Sequence, residues 1–167
     1  RGYTRERFSE LVGKLRAAAP EMGVGTDIIV GFPGETDEDF AATLELCREV
    51  EFDNAFLFKY SQRRDTPAAS MPDQVPQEII EARHAELLAA VDEIRGHKLR
   101  KYIGQQMEIL VEGPSRRNAA RLEGRTRCNK IVILEGGSRF IGQVMEVRIT
   151  EASQTTLYGD PAIHNLN

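Results

Sequence analysis

A glycine-rich turn is the first segment of this 167-residue sequence whose residue types could take part in chemistry. It covers residues 31–36 (GFPGET) and separates a β-branched run from a helical pattern. The turn has neither the G-x-G-x-x-G dinucleotide pattern nor the Gly-Lys-Ser/Thr ending of a P-loop. Glycines at the carboxyl end of a parallel strand let a ligand approach the backbone, and ligands of such sheets bind at that end. The alternative is an ordinary strand-to-helix turn.

A second polar segment, residues 59–67 (KYSQRRDTP), lies at the end of the next apolar run, residues 54–60. It combines a phenol, hydroxyl groups and several charged groups, and we expect it at the same edge of the sheet as the glycine turn. The clustering of Lys59, Arg63 and Arg64 indicates a site for an anion or a nucleotide. A solvated loop is the alternative.

Basic residues are concentrated in the second half of the sequence. Residues 113–130 contain six Lys/Arg against Glu123 alone, although the whole chain has a formal net charge of −4. This asymmetry favours contact with a polyanion such as RNA, through phosphates and through stacking on unpaired bases. Aromatic residues are sparse over residues 105–160, with only Phe140 and Tyr158, so a solvated charged face stays open as the alternative.

Cysteines and histidines indicate no metal centre. Cys47 and Cys128 lie far apart and form no CxxC pair, which suits a reducing compartment. None of the three histidines (His84, His97, His164) has a partner at metal-ligand spacing. We predict no catalytic residue and no metal ligand.

The elements that must position these segments alternate between helix and strand. The apolar spacing predicts a helix over residues 4–19, a strand over 24–31, a helix from Thr36 to about Val50 and a strand over 54–60. A long helix is predicted from Gln77 to about Ile103. This α-β-α-β order is typical of a parallel sheet, and the apolar run at 24–31 predicts a strand buried on both faces.

After Gly104 the apolar periodicity changes to two, which predicts strands. Five short strands separated by glycine turns indicate a small closed barrel of the oligonucleotide-binding type. We therefore predict domains at 1–104 and 105–160, with a tail at 161–167. No apolar run reaches eighteen residues, so a transmembrane helix is excluded.

Three groups of residues together resemble the radical-SAM methylthiotransferases. Residues 26–40 (TDIIVGFPGETDEDF) resemble the fifth strand and following helix of that family, and residues 58–61 (FKYS) resemble the end of its sixth strand. The barrel, with residues 124–126, 129–130 and 156–159, is similar to the C-terminal TRAM domain. The tRNA-modifying branch fits best. The ribosomal-protein and threonylcarbamoyladenosine branches stay as alternatives.

The resemblance implies an α/β chain in which a partial radical-SAM (β/α) barrel remnant precedes a small all-β, OB-like TRAM barrel. The whole enzyme would methylthiolate an isopentenylated adenosine beside the tRNA anticodon, in the cytoplasm, using S-adenosylmethionine and two [4Fe–4S] clusters. The CxxxCxxC cluster motif is missing from this sequence. We therefore expect this chain to be the C-terminal part of such an enzyme and to be inactive alone.

The resemblance also implies roles for individual residues. Candidates for shaping the S-adenosylmethionine pocket are Gly31, Phe32, Glu35, Tyr60 and Ser61. Candidates for contacting substrate or the anticodon stem-loop are Lys59, Arg63, Arg116, Arg117, Arg125, Arg127, Asn129 and Lys130.

Because two βα elements leave open sheet edges, we expect self-association of the chain. A free-standing RNA-binding barrel and an unrelated aldolase-like α/β enzyme are the competing interpretations.

Overall fold

A computed structural model of the chain describes residues 2–162. The predicted tail at 161–167, with His164, therefore lies largely outside the described residues. The chain divides into two compact units, one ending at Ile94 and the other beginning at Arg95. This division falls within the long helix.

The first unit contains α1 (Arg5–Ala18), β1 (Gly25–Val30), α2 (Asp37–Val50) and β2 (Asn54–Lys59), followed by most of α3 (Gln77–Arg100). Short 3-10 turns lie at Pro67–Ser70 and, in the second unit, at Ser138–Phe140. The N-terminus of α2 has a full capping box. The Thr36 hydroxyl accepts from the Asp39 backbone N–H, and the Asp39 carboxylate accepts from the Thr36 backbone N–H.

The two strands of the first unit are parallel, with Gly25 opposite Asn54 and Val30 opposite Lys59. Helices α1, α2 and α3 cover one face of this strand pair, and the side chains of that face form a core with them. The buried residues of this core are Val12, Val30, Phe40, Leu44, Cys47, Val50, Phe52, Leu87 and Val91. The opposite face is open. The prediction that β1 is buried on both faces is therefore wrong, because nothing among the described residues packs over Ile29, which is 53% exposed.

The second unit is a closed barrel of five strands in the order β3-β4-β5-β7-β6. Its strands are β3 (Gln106–Pro114), β4 (Leu122–Thr126), β5 (Ile131–Leu134), β6 (Val144–Ala152) and β7 (Leu157–Pro161). Neighbouring strands are antiparallel except β5 and β7, which are parallel. The prediction of a small five-stranded barrel is confirmed.

Alternating residues of these strands fill the barrel, together with Leu99 from the end of α3. The buried members are Leu99, Ile109, Val111, Leu122, Val132, Leu134, Val147, Ile149 and Leu157. The wall is tightest at Gly159, where an added Cβ would lie 2.5 Å from the Arg148 carbonyl oxygen. A side chain at this position would therefore separate β6 from β7.

Across the described residues, no helix combines the length and the apolar character that crossing a membrane requires.

Candidate functional site

The glycine turn after β1 is held closed by the carboxylate of Glu35. The Gly31 backbone N–H donates to Glu35 Oε2 at 2.8 Å. Gly31 has a φ of +76°, and an added Cβ would lie 2.3 Å from the Ile80 Cγ1 atom. Both the left-handed backbone and the close approach of Ile80 therefore require glycine here.

Arg83 of α3 occupies the other oxygen of the same carboxylate. Its Nη1 atom donates to Glu35 Oε1 at 2.8 Å and to the Glu35 carbonyl at 3.1 Å, and Nη2 donates to Asp37 Oδ1 at 2.6 Å. Burial disfavours the charged guanidinium, but the hydrogen bonds to Asp37 and Glu35 outweigh that effect and raise the pKa of Arg83. Both oxygens of the Glu35 carboxylate thus accept hydrogen bonds that shape the turn.

A cavity of about 470 Å³ opens beside this turn. It is lined by Ile29, Phe32, Phe58, Lys59, Tyr60, Ser61, Arg63, Thr66 and Ala68. Phe32 and Tyr60 meet edge to face, with ring centroids 5.4 Å apart. The structure thus brings five of the predicted residues to one cavity: Phe32, Lys59, Tyr60, Ser61 and Arg63. Gly31 and Glu35 do not line the cavity and are joined to each other in the adjoining turn.

The Tyr60 hydroxyl has an unusual position in this unit. It is buried, and it has no hydrogen-bond partner among the described residues. Buried hydroxyl groups are nearly always hydrogen-bonded, so an unpaired one marks a position where a polar ligand atom or an ordered water belongs.

The ammonium group of Lys59, which lines the same cavity, is only loosely paired. Its Nζ atom lies 3.9 Å from Glu81 Oε1.

The two cysteines lie in separate units and serve different packing roles. Cys47 is buried in the core of the first unit, and burial raises the pKa of its thiol. Cys128 lies in the turn between β4 and β5, with its sulfur 3.0 Å from the Lys130 Nζ atom. Within residues 2–162, no group of three or more His, Cys, Asp or Glu side chains is arranged to hold a metal ion.

The outer face of the barrel carries a second pocket, of about 370 Å³. Its lining is Ser115, Arg116, Arg117, Asn118, Arg121, Glu123, Arg125, Ile131, Ile133, Thr155, Thr156 and Tyr158. Three of these residues (Arg116, Arg117, Arg125) were predicted RNA contacts. Glu123, Thr155, Thr156 and Tyr158 also line the pocket and were not predicted as site residues from the sequence.

Strand register explains why the missed residues meet. Glu123 of β4 lies opposite Ile133 of β5, and Ile133 lies opposite Tyr158 of β7. The three side chains therefore form one row across the outer face of the barrel. The sequence signal is the alternation of each strand, but the parallel pairing of β5 with β7 cannot be read from it.

The remaining predicted RNA contacts lie in or beside the turn between β4 and β5. Arg125 donates to Glu112 and, at 2.9 Å, to the Asn129 side-chain oxygen, and Arg127 pairs with Glu108 at 2.7 Å. The Glu108 carboxylate raises the pKa of Arg127. Asn129 adopts a φ of +63°, which asparagine tolerates better than most residues.

Lys130 is placed differently from what the RNA interpretation requires. It is only 8% exposed, and its Nζ atom lies 5.1 Å from the centre of the Tyr102 ring as well as against Cys128. Its backbone N–H donates to the Thr126 hydroxyl. This burial points to a role in holding the turn and counts against contact with an RNA phosphate.

Residues 100–162 match the TRAM domain family. The barrel is therefore similar to TRAM domains, and the resemblance to that domain predicted from the sequence is confirmed.

Relatives extend the match over both units. The chain is 48% identical over all 167 residues to a tRNA-2-methylthio-N(6)-dimethylallyladenosine synthase of Methylacidiphilum infernorum, of which it covers 36%. It is 52% identical over 162 residues, or 97% of the chain, to the synthase of the same name from Geobacillus thermodenitrificans, of which it covers 31%. The synthase of Akkermansia muciniphila is 48% identical over 96% of the chain, which covers 35% of it. The chain thus spans about a third of the length of these relatives, and its resemblance to the tRNA methylthiotransferases is confirmed.

Proposed function

We propose that this chain is the C-terminal part of a radical-SAM tRNA methylthiotransferase that modifies an isopentenylated adenosine next to the anticodon. The observation that carries the proposal is the identity of 48–52% to synthases of that name, which runs through both units rather than through the barrel alone. A free-standing RNA-binding barrel would not account for identity over residues 1–94. Such an enzyme acts on tRNA in the cytoplasm.

In this proposal residues 1–104 are the end of the radical-SAM domain, residues 105–160 are the TRAM barrel and residues 161–167 are a tail. The parallel pair β1–β2 with its flanking helices agrees with the last βα elements of a (β/α) barrel. The open face of that pair, which carries Ile29, Phe56 and Phe58, would be covered by the rest of the barrel.

The cavity beside Tyr60 fits part of an S-adenosylmethionine site. It offers aromatic rings for an adenine, a buried unpaired hydroxyl as a polar anchor, and Lys59 and Arg63 for a carboxylate. S-adenosylmethionine supplies the radical chemistry and the methyl group when it is bound. Phe32 and Tyr60 would orient the nucleoside, while Gly31 and Glu35 would fix the backbone behind them.

Iron–sulfur clusters do not fit the residues present here. A [4Fe–4S] cluster needs about three or four cysteine thiolates in one place, and this chain has two cysteines in separate units. The cluster ligands therefore have to come from outside this sequence, and the chain alone should be inactive.

The coding sequence upstream of Arg1 provides the most direct test. We expect a CxxxCxxC motif within the preceding two to three hundred codons or so, since the relatives are about three times as long as this chain. Absence of that motif from an open upstream reading frame would overturn the enzyme proposal and favour the free-standing RNA-binding barrel.

Binding experiments on the chain itself test each half of the proposal. S-adenosylhomocysteine, the unreactive analogue, should bind weakly by calorimetry, and Tyr60→Phe should weaken that binding while Tyr3→Phe leaves it unchanged. An anticodon stem-loop should shift in electrophoresis at low salt and lose affinity steeply as salt rises. No binding at low salt would defeat the RNA assignment.

A further inference from the structure

The barrel pocket has a lining that phosphate binding alone does not explain. A site for phosphate needs only cations, and Arg116 and Arg117 at its rim supply them. The floor, however, consists of the two isoleucines of β5 and the ring of Tyr158. An apolar and aromatic surface of this kind is suited to the flat face of a base.

Glu123 is the second feature that phosphate binding leaves unexplained, because its negative charge would repel a phosphate. Three other carboxylates of the barrel are neutralised by arginines: Glu108 pairs with Arg127, Glu112 with Arg125 and Glu135 with Arg121. Glu123 is half-buried in the pocket and makes no ion pair or side-chain hydrogen bond with any described residue.

A carboxylate without a partner, set beside an aromatic ring, is an acceptor that can read the donor groups of a base. An ionised carboxylate only accepts hydrogen bonds, so it selects base edges with N–H groups. Guanine presents two parallel donors, N1–H and the 2-amino group, which match the two oxygens of one carboxylate. Adenine and uracil each place an acceptor next to their donor and match it less well.

We propose that this pocket is a subsite for one unpaired nucleotide of the bound RNA, with a preference for guanine. The base would lie over Tyr158 and Ile133, Glu123 would accept from its Watson–Crick edge, and Arg116 and Arg117 would neutralise flanking phosphates. The nucleotide must be unpaired, because the edge that Glu123 reads is occupied in a duplex. This inference rests on the proposed RNA-binding function and adds a base-specific contact to it.

Loss of an arginine and loss of Glu123 should have different effects on RNA binding. The arginines contribute charge, so Arg116→Gln should weaken all RNAs alike and reduce the slope of log K against log[salt] by about one. Glu123 contributes discrimination, so Glu123→Gln should leave the salt slope in place and remove the preference for guanine. Tyr158→Leu should weaken binding of every base by about tenfold, because the stacking surface is lost.

The experiment is fluorescence anisotropy of the full chain with short labelled stem-loops that differ only at one unpaired loop position. Guanosine at that position should bind about tenfold more tightly than inosine, which lacks the 2-amino group, or adenosine. Glu123→Gln should bind the three RNAs equally. Glu108→Gln, which removes a carboxylate that pairs with Arg127 outside the pocket, serves as the matched control and should keep the preference.

Two results would overturn the inference. Salt-sensitive RNA binding that shows no preference at any loop position, or a preference that survives in Glu123→Gln, would leave the proposed RNA function intact and reject the base subsite. Absence of any salt-sensitive RNA binding by the unmodified chain would reject the subsite together with the RNA assignment.

Discussion

The Arg83 Nη1 atom donates to Glu35 Oε1 at 2.8 Å, and the other oxygen of that carboxylate accepts the Gly31 backbone N–H at 2.8 Å. One carboxylate thus joins α3 to the backbone turn that follows β1. Arg83 is only 7% exposed, and its guanidinium packs over the ring of Phe40. The link between α3 and the turn is therefore buried. Arg83 is in this sense a positioning residue for Phe32 and the cavity beside it.

Replacement of Arg83 should both destabilise the first unit and weaken ligand binding in the cavity beside Phe32. In Arg83→Met the half-buried Glu35 carboxylate loses its charged donor, which should lower the free energy of unfolding by about 1–3 kcal/mol. Urea denaturation measures this change, and calorimetry with S-adenosylhomocysteine measures the effect on the cavity.

Arg5→Gln is the matched control for that substitution. Arg5 also pairs with two carboxylates, those of Glu45 and Glu49, but at the surface. Its loss should cost less than about 1 kcal/mol. Equal effects of the two substitutions would show that burial of the Arg83 pair has no energetic consequence.

Gly31 and Gly34 offer a comparison between two kinds of glycine requirement. Both have positive φ, at +76° and +86°, but only at Gly31 would a Cβ meet other atoms, those of Ile80. Gly34→Ala should cost about 1–2 kcal/mol of stability from backbone strain alone. Gly31→Ala should cost clearly more, because Ile80 must move as well.

The double variant Gly31→Ala/Ile80→Ala distinguishes the steric contribution. If the clash dominates, the double variant should be more stable than the sum of the two single effects predicts, as measured by thermal unfolding. Strict additivity would indicate that Ile80 moves aside without cost and that backbone strain explains the whole effect.

Much of this architecture could be predicted from local sequence. The Thr36 cap, the acidic first turn of α2 and the five barrel strands follow from periodicity and capping rules, which depend on neighbours in sequence. Arg83 could not be found in this way, since helical spacing identifies apolar positions and says nothing about a buried cation among them. The roles of Lys130 and Glu123 depend on burial and on the parallel register of β5 with β7, both of which arise only in the folded chain.

The Asp39 carboxylate should titrate below its ordinary range. The Thr36 backbone N–H and hydroxyl donate to it and lower its pKa from the usual value of 3.8. Because the folded pKa is depressed, the stabilising contribution of this carboxylate is complete above the unfolded pKa and is lost as pH falls through the folded value. The loss is therefore expected below about pH 4.

Carbon-detected NMR of the Asp39 side chain measures that titration. Thr36→Ala should return the midpoint towards 3.8, since the hydroxyl is removed. Thr43→Ala is the control, because the Thr43 hydroxyl donates to the Asp39 backbone carbonyl and not to its carboxylate. An unshifted midpoint in the unmodified chain would contradict the capping box as a source of stability.

The open face of the β1–β2 pair should drive self-association of the isolated chain. Phe56 is 64% exposed there, and Ile29 and Phe58 lie beside it on the same face. Contiguous apolar surface and an unpaired strand edge both favour contact with a second copy. Sedimentation velocity should show a concentration-dependent shift towards dimer or larger species.

Phe56→Glu should reduce that shift, because the charge would have to be buried in the contact. Leu11→Glu, which alters another exposed apolar residue (54% exposed) on α1, should leave it unchanged. A chain that stays monomeric at all concentrations, or two substitutions with the same effect, would show that this sheet face is not the site of association.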